Sequence, residues 1–116
     1  MNRDIVKIKE INVESPWFEF IKNKKKKVEG RLNKGIFKYF VTGDKVKIKN
    51  GENFINTEII KINMYNTFKE YLSKEGLTQT LPDINTIKEG CDIYYKFYTK
   101  KQEIKYGILA IHIEII

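Results

Sequence analysis

The chain of 116 residues has one cysteine, Cys91, and one histidine, His112. A lone cysteine excludes an internal disulfide and suits a reducing compartment, so an intracellular, cytoplasmic address is expected. No apolar run reaches the ~18 residues at which a membrane span is considered, so no membrane partner is expected. The first ten residues are charged and alternating, unlike a secretory signal. His112 has no second His or Cys near it, and metal sites need several ligands, so it reads as structural or exposed and no metal is expected. Cys91 has no base beside it in sequence and reads as a small buried residue. There is no G-x-S-x-G, P-loop or zinc spacing, and no cofactor is expected. Internal repeats and linkers are also missing, so residues 1–116 are expected to form a single domain.

Arginine is scarce. The chain carries 22 basic and 15 acidic residues for a net charge of +7, yet Arg3 and Arg31 are its only arginines. The balance favours acidic partners such as nucleic acid. Lysine, isoleucine and asparagine are also what an A+T-rich genome encodes, which weakens the charge as evidence of a partner. Arg31 gains weight by the same logic, because arginine offers a rigid, always charged fork for phosphate or carboxylate. An apolar content of 41% and an aromatic content of 13% place the chain among globular proteins.

The stretch from Ser15 to Asp44 organises the rest. Ser15 reads as an N-cap and Pro16 as the first helical residue. Trp17, Phe20 and Ile21 fall at i, i+3, i+4 on one apolar face, with Phe18 nearby. Five lysines between Lys22 and Lys27 stop the helix near Asn23. In the strand that follows, Val28, Gly30 and Leu32 share one face, and Glu29 and Arg31 share the other. Lys26 sits at the junction, close enough to join them. Gly30 marks a bulge or a close backbone approach. Two readings stand side by side. The charged face is a solvated surface with a weak ion pair, or it is the wall of a functional cleft. The lysine run is likewise a solvated charge block, or a loop in which Lys25 and Lys27 contact phosphate.

Lys26, Glu29 and Arg31 are spaced K-x-x-E-x-R after a short helix, and Thr42-Gly43-Asp44 forms a turn beyond them. This arrangement resembles the ASCH family (activating-signal-cointegrator homology), marked by G-x-K-x-x-E-x-R and a following G-D turn. Lys24 stands at the family's glycine and Lys27 at its common threonine. The resemblance continues at Leu81-Pro82, Glu89-Gly90, Tyr94 to Tyr98 and Lys105 to Ile111, and covers roughly residues 15 to 114. It implies a small, partly open β-barrel of the PUA type, with about five to six strands and three to four helices.

The remaining pattern gives an α+β inventory. Ile5 to Val13 reads as an edge strand, with Val6 and Ile8 on one face and Lys7 and Lys9 on the other. Ile36 to Phe40 is a single apolar turn. Lys45 to Asn50 is a strand ended by the Asn50-Gly51 turn. Phe54 to Met64 is another, in which Ile55 stands apart from an alternation of Glu58, Ile60, Ile62 and Met64. Thr67 and Glu70 form a capping box, Phe68, Tyr71 and Leu72 the apolar face behind it, and Gly76 the stop. A helical segment is expected from Thr86 to Tyr98, interrupted by Gly90. Thr99 caps a last turn that ends at Gly107. Ile108 to Ile116 is a final strand, with Leu109, Ile111, Ile113 and Ile115 facing in and Ala110, His112 and Glu114 facing away.

The expected function is binding of RNA or a modified nucleotide in a cleft lined by Lys26, Glu29, Arg31, Lys25, Lys27, Trp17 and Tyr98. Arg31 and the lysines would hold phosphate. Glu29 would accept from an amino-bearing base edge or orient Lys26. One or two of Tyr94, Tyr95, Phe97 and Tyr98 would line the cleft for stacking, and the others would pack. Trp17 reads as a core anchor, although the resemblance places it near the pocket. The rival expectation is a hydrolase with Lys26 and Glu29 catalytic. The resemblance implies two forms, a metal-independent ribonuclease and an amidohydrolase of acetylated cytidine. In the latter members a threonine nucleophile stands at the Glu29 position, and this chain has none there. A third reading is a protein-interaction module.

Overall fold

The computed structural model describes residues 8–116. Five strands make one sheet in the order β1-β3-β4-β5-β2, comprising β1 (Lys9–Asn12), β2 (Val28–Leu32), β3 (Lys45–Asn50), β4 (Asn53–Tyr65) and β5 (Ile108–Ile115). β1 and β3 pair in parallel, which requires the crossover through the first helix and β2. The other pairs are antiparallel. Five helices flank the sheet: α1 (Trp17–Lys22), α2 (Phe68–Glu75), α3 (Leu77–Thr80), α4 (Ile87–Tyr94) and α5 (Lys100–Tyr106). The fold is an α+β half-barrel, with β1 and β2 as its two edges.

Two apolar clusters lie on opposite faces of the sheet. Ile11, Val46, Ile48, Ile59, Ile111 and Ile113 fill the inner face with Phe18 and Ile21 of α1. Val28, Leu32, Ile108 and Ala110 meet Phe68, Tyr71 and Leu72 of α2 and Tyr94 of α4 on the outer face. β2 and the first half of β5 are therefore covered on both sides. The expected inward set of β5 is observed, but Ala110 is fully buried against the helices; only from His112 onward does the second face reach solvent.

Several local expectations shift. α1 starts at Trp17 with Pro16 in the cap position, and the Ser15 hydroxyl bonds to the Glu19 carboxylate instead of a backbone N–H. Its buried stripe is Phe18 and Ile21. The expected positions Val6 and Lys7 lie outside the described residues. Ile8 is exposed, and the inward side of the first strand is carried by Ile11 and Val13. Lys9 leans out to pair with Asp44. A register shift between Ile59 and Lys61 explains the split pattern of β4: Ile55, Thr57 and Ile59 point inward, and the extra residue turns Ile60 outward.

The caps mostly follow the sequence. The Thr67 side chain accepts from the Glu70 N–H, while Glu70 returns its bond to the Asn66 N–H. Thr99 and Gln102 complete a capping box on α5. Residues Gly35–Tyr39 form the expected single turn. α4 stops at Tyr94, and the chain reaches Tyr98 through turns. Gly90 does not interrupt α4: a Cβ there would lie 2.8 Å from Leu72, so glycine lets α2 and α4 approach. α3 was not legible, because four residues are too few to show a period.

Candidate functional site

The site begins at the end of α1. The Lys25 N–H bonds to the Phe20 carbonyl at 2.9 Å and the Lys24 N–H to the Ile21 carbonyl at 3.0 Å. Lys24 adopts φ +69°. This is the Schellman end of a helix, with its left-handed residue at Lys24. The position where the resemblance calls for glycine thus keeps a glycine-like backbone although it carries a lysine. The turn reverses the chain and sends the Lys26 side chain inward, while Lys24, Lys25 and Lys27 stay exposed. The Lys27 N–H then fastens the junction to the Gln79 carbonyl at 3.0 Å.

Lys26 is 2% exposed. Its ammonium donates to the Val28 carbonyl at 2.7 Å and to the Thr80 carbonyl, and it lies 3.2 Å from Glu29 Oε1. Three donors meet three acceptors. The second carboxylate oxygen, Oε2, accepts from Arg31 Nε at 2.8 Å. Arg31 Nη2 continues to the Asn12 carbonyl on β1 at 2.6 Å, and its guanidinium lies over the Phe37 ring at 5.3 Å. The charged row therefore bridges the two edge strands where the backbone leaves them unpaired. This face is not solvated surface: Glu29 is 7% exposed and Arg31 is half-buried, whereas the neighbouring Lys24, Lys25 and Lys27 are exposed.

The electrostatics follow from burial. Desolvation alone would push the Glu29 carboxyl up, but Lys26 and Arg31 on its two sides outweigh it and hold the group below its usual range. Burial pulls the Lys26 ammonium down, against the attraction of Glu29. Arg31 is held up, because its attraction to Glu29 outweighs its own burial. The row is cation, anion, cation, with one positive charge in excess.

Above it opens a hollow of about 450 Å³, bounded by β2, the Asn12–Trp17 segment, the β3–β4 turn and the end of α4. Lys26, Glu29, Arg31, Trp17 and Tyr98 all border it; Lys25 and Lys27 do not. Trp17 also packs against both apolar clusters. Of the aromatic segment, Tyr94, Phe97 and Tyr98 border the hollow, whereas Tyr95 turns away to donate to Glu103 at 2.8 Å. Gly30 forms part of the floor, and a Cβ there would sit 2.6 Å from the Tyr71 ring. The suspected close approach at Gly30 is thus a side chain pressed against the strand.

Asn12, Lys49 and Asn50 at the rim were missed as site residues. Asn50-Gly51 signals a turn and nothing more in sequence, and Asn12 takes part through a backbone carbonyl, which no side-chain pattern reports. His112 lies outside the hollow, 2.8 Å from Glu75 Oε1, and Cys91 is half-buried elsewhere. Among the described residues no cluster of His, Cys, Asp or Glu is placed to hold a metal, and no helix is long and apolar enough to cross a membrane.

No curated protein matches the chain. The chain is similar to several solved structures. The crystal structure of hypothetical protein PH0355 is 37% identical, with a TM-score of 0.86 over 92% of this chain and 97% of that one. The solution structure of protein PF0455 from Pyrococcus furiosus is 36% identical, with a TM-score of 0.79 over 95% and 98%. The ASCH domain model matches residues 11–116. The motif lysine, glutamate and arginine, the half-barrel they bridge and this match together show that the chain belongs to the ASCH domain family.

Proposed function

We propose that the protein binds single-stranded RNA by admitting one unstacked nucleotide into the hollow above Lys26, Glu29 and Arg31. The observation that carries this is the combination of a buried charged row with aromatic walls. A volume of about 450 Å³ lies within the roughly 300–1,000 Å³ typical of small-ligand sites. Trp17, Phe97 and Tyr98 border the hollow, and stacking on aromatic rings is how proteins hold splayed RNA bases. Arg31 has guanidinium N–H groups beyond the two engaged with Glu29 and Asn12, and Lys49 stands at the rim. The net charge of +7 supplies long-range attraction to a phosphate chain.

The geometry favours binding over hydrolysis. A lysine acting as base needs a neutral nitrogen whose lone pair faces the substrate. Burial pulls the Lys26 ammonium down, but its Nζ is directed at two carbonyls and a carboxylate that take its protons, and not at a substrate position in the open hollow. Its role here is to hold Glu29 and the β2–α3 junction in place. Arg31 and the aromatics are left to meet the ligand.

Filter binding of labelled single-stranded RNA at low and moderate salt tests the reading. Phe97 is 56% exposed and borders the hollow, so Phe97→Ala leaves the core intact. It should weaken binding about 5- to 150-fold, the loss expected for one stacking partner, with unchanged melting. RNA binding that is absent in the wild type, or indifferent to both Phe97→Ala and Trp17→Ala, would refute it.

A further inference from the structure

At the inner end of the hollow two phenols face each other. Tyr71 Oη and Tyr94 Oη are 3.0 Å apart. Tyr71 is fully buried, and Tyr94, 8% exposed, borders the hollow. Two hydroxyls carry two protons, and one bond between them uses one. The other proton must point elsewhere. If Tyr94 donated, the Tyr71 proton would be left in an apolar interior between Gly30 and Tyr94 with no acceptor among the described residues. If Tyr71 donates, the fully buried proton has its acceptor, and the remaining proton belongs to the residue that borders the hollow. Burial, the largest cause, pushes both phenols up, so both protons must be accounted for.

Tyr94 therefore borders the hollow with an O–H that has no acceptor among the described residues. Glu29, whose charge is felt by both phenols, borders the same space. Each of its oxygens holds one cation and retains capacity to accept a further bond. We propose that Tyr94 is a specificity-determining residue that donates a hydrogen bond to an acceptor on the edge of the inserted base, a carbonyl oxygen or an unprotonated ring nitrogen, while Glu29 accepts from a neighbouring N–H of the same edge. A planar heterocycle carrying adjacent donor and acceptor groups is what this pair selects. A sugar-phosphate chain without a base gains nothing from Tyr94. The inference rests on the RNA-binding reading and adds the atom that discriminates.

The test compares wild-type, Tyr94→Phe and Tyr71→Phe proteins against oligo(A), oligo(C), oligo(U) and an abasic ribose oligomer of equal length, below the melting temperature of each variant. Tyr94→Phe keeps the ring and removes the proton. It should weaken binding of the preferred oligomer about tenfold, the loss of one hydrogen bond, and flatten the ranking among bases. Abasic binding should not change. Tyr71→Phe should lower the melting temperature but preserve the ranking, because Tyr94 still donates outward. An unchanged ranking in Tyr94→Phe overturns the inference and leaves the binding reading intact. Wild-type protein that binds abasic and base-bearing oligomers equally overturns both, because no base is then held in the hollow. Absence of binding to every oligomer overturns both.

Discussion

Replacing Lys26 by methionine tests whether this lysine is a structural pillar. The side chains have similar length, so Lys26→Met removes the ammonium with little change of volume. Three acceptors then lose a donor: the Val28 carbonyl, the Thr80 carbonyl and Glu29 Oε1. Glu29 stays buried with Arg31 as its remaining cation. Breaking a buried ion pair by deleting one partner costs about 3–5 kcal/mol, chiefly because the other charge is left uncompensated. Small proteins have a total stability of roughly 5–15 kcal/mol. At roughly 4–5 °C per kcal/mol for a chain of this size, the melting temperature should fall by about 12–25 °C. Thermal melting by circular dichroism and urea unfolding at pH 7 give the value. A second substitution, Glu29→Leu in the Lys26→Met background, should recover part of the loss, because it removes the stranded charge. The opposite expectation holds for a lysine kept for chemistry at the expense of stability, whose removal leaves stability unchanged or raised. A Lys26→Met protein that melts within about 3 °C of the wild type would refute the reasoning.

Two further outcomes concern the same segment of chain. The Glu29 carboxyl is held below its unfolded value by Lys26 and Arg31. Its stabilising contribution is therefore present above the unfolded carboxyl range and is lost as the pH falls through the folded value; urea midpoints measured from pH 7 down to pH 3 should decline less steeply in Glu29→Gln than in the wild type, and parallel curves would contradict this. Lys24 pays a steric cost for φ +69° that glycine would not, about 1 kcal/mol less the extra freedom glycine gives the unfolded chain. Lys24→Gly should therefore raise the urea midpoint slightly, whereas a lower midpoint would show that the lysine side chain itself holds the turn.

Much of the architecture was legible because local chemistry specifies it. Thr67 with Glu70, Thr99 with Gln102, Gly76 and Gly107 stand at helix ends whose backbone groups need partners, and each marks its boundary. The spacing of Lys26, Glu29 and Arg31 predicted that they meet, and they do. Less legible was β4, where one inserted residue at Ile60 changes the face of everything beyond it. A single alternating pattern cannot describe such a strand.

By itself the sequence determined the order of most elements, the helix ends at Thr67, Gly76, Thr99 and Gly107, the α+β class and the charged triplet that brings the chain into its family. Tertiary structure alone decided what covers that triplet. Period two reports contrast between the faces of a strand, not whether the polar face is wet. Lys26 looks the same in sequence whether it reaches water or three internal acceptors; α3 and Thr80 bury it. Arg31 and Asn12 meet because the half-barrel curls its two edges toward each other, and Tyr94 joins Glu29 at one hollow because α4 packs on α2 over the outer face of the sheet. Those contacts span long stretches of chain, and their geometry exists once the two apolar clusters have formed on either side of the sheet.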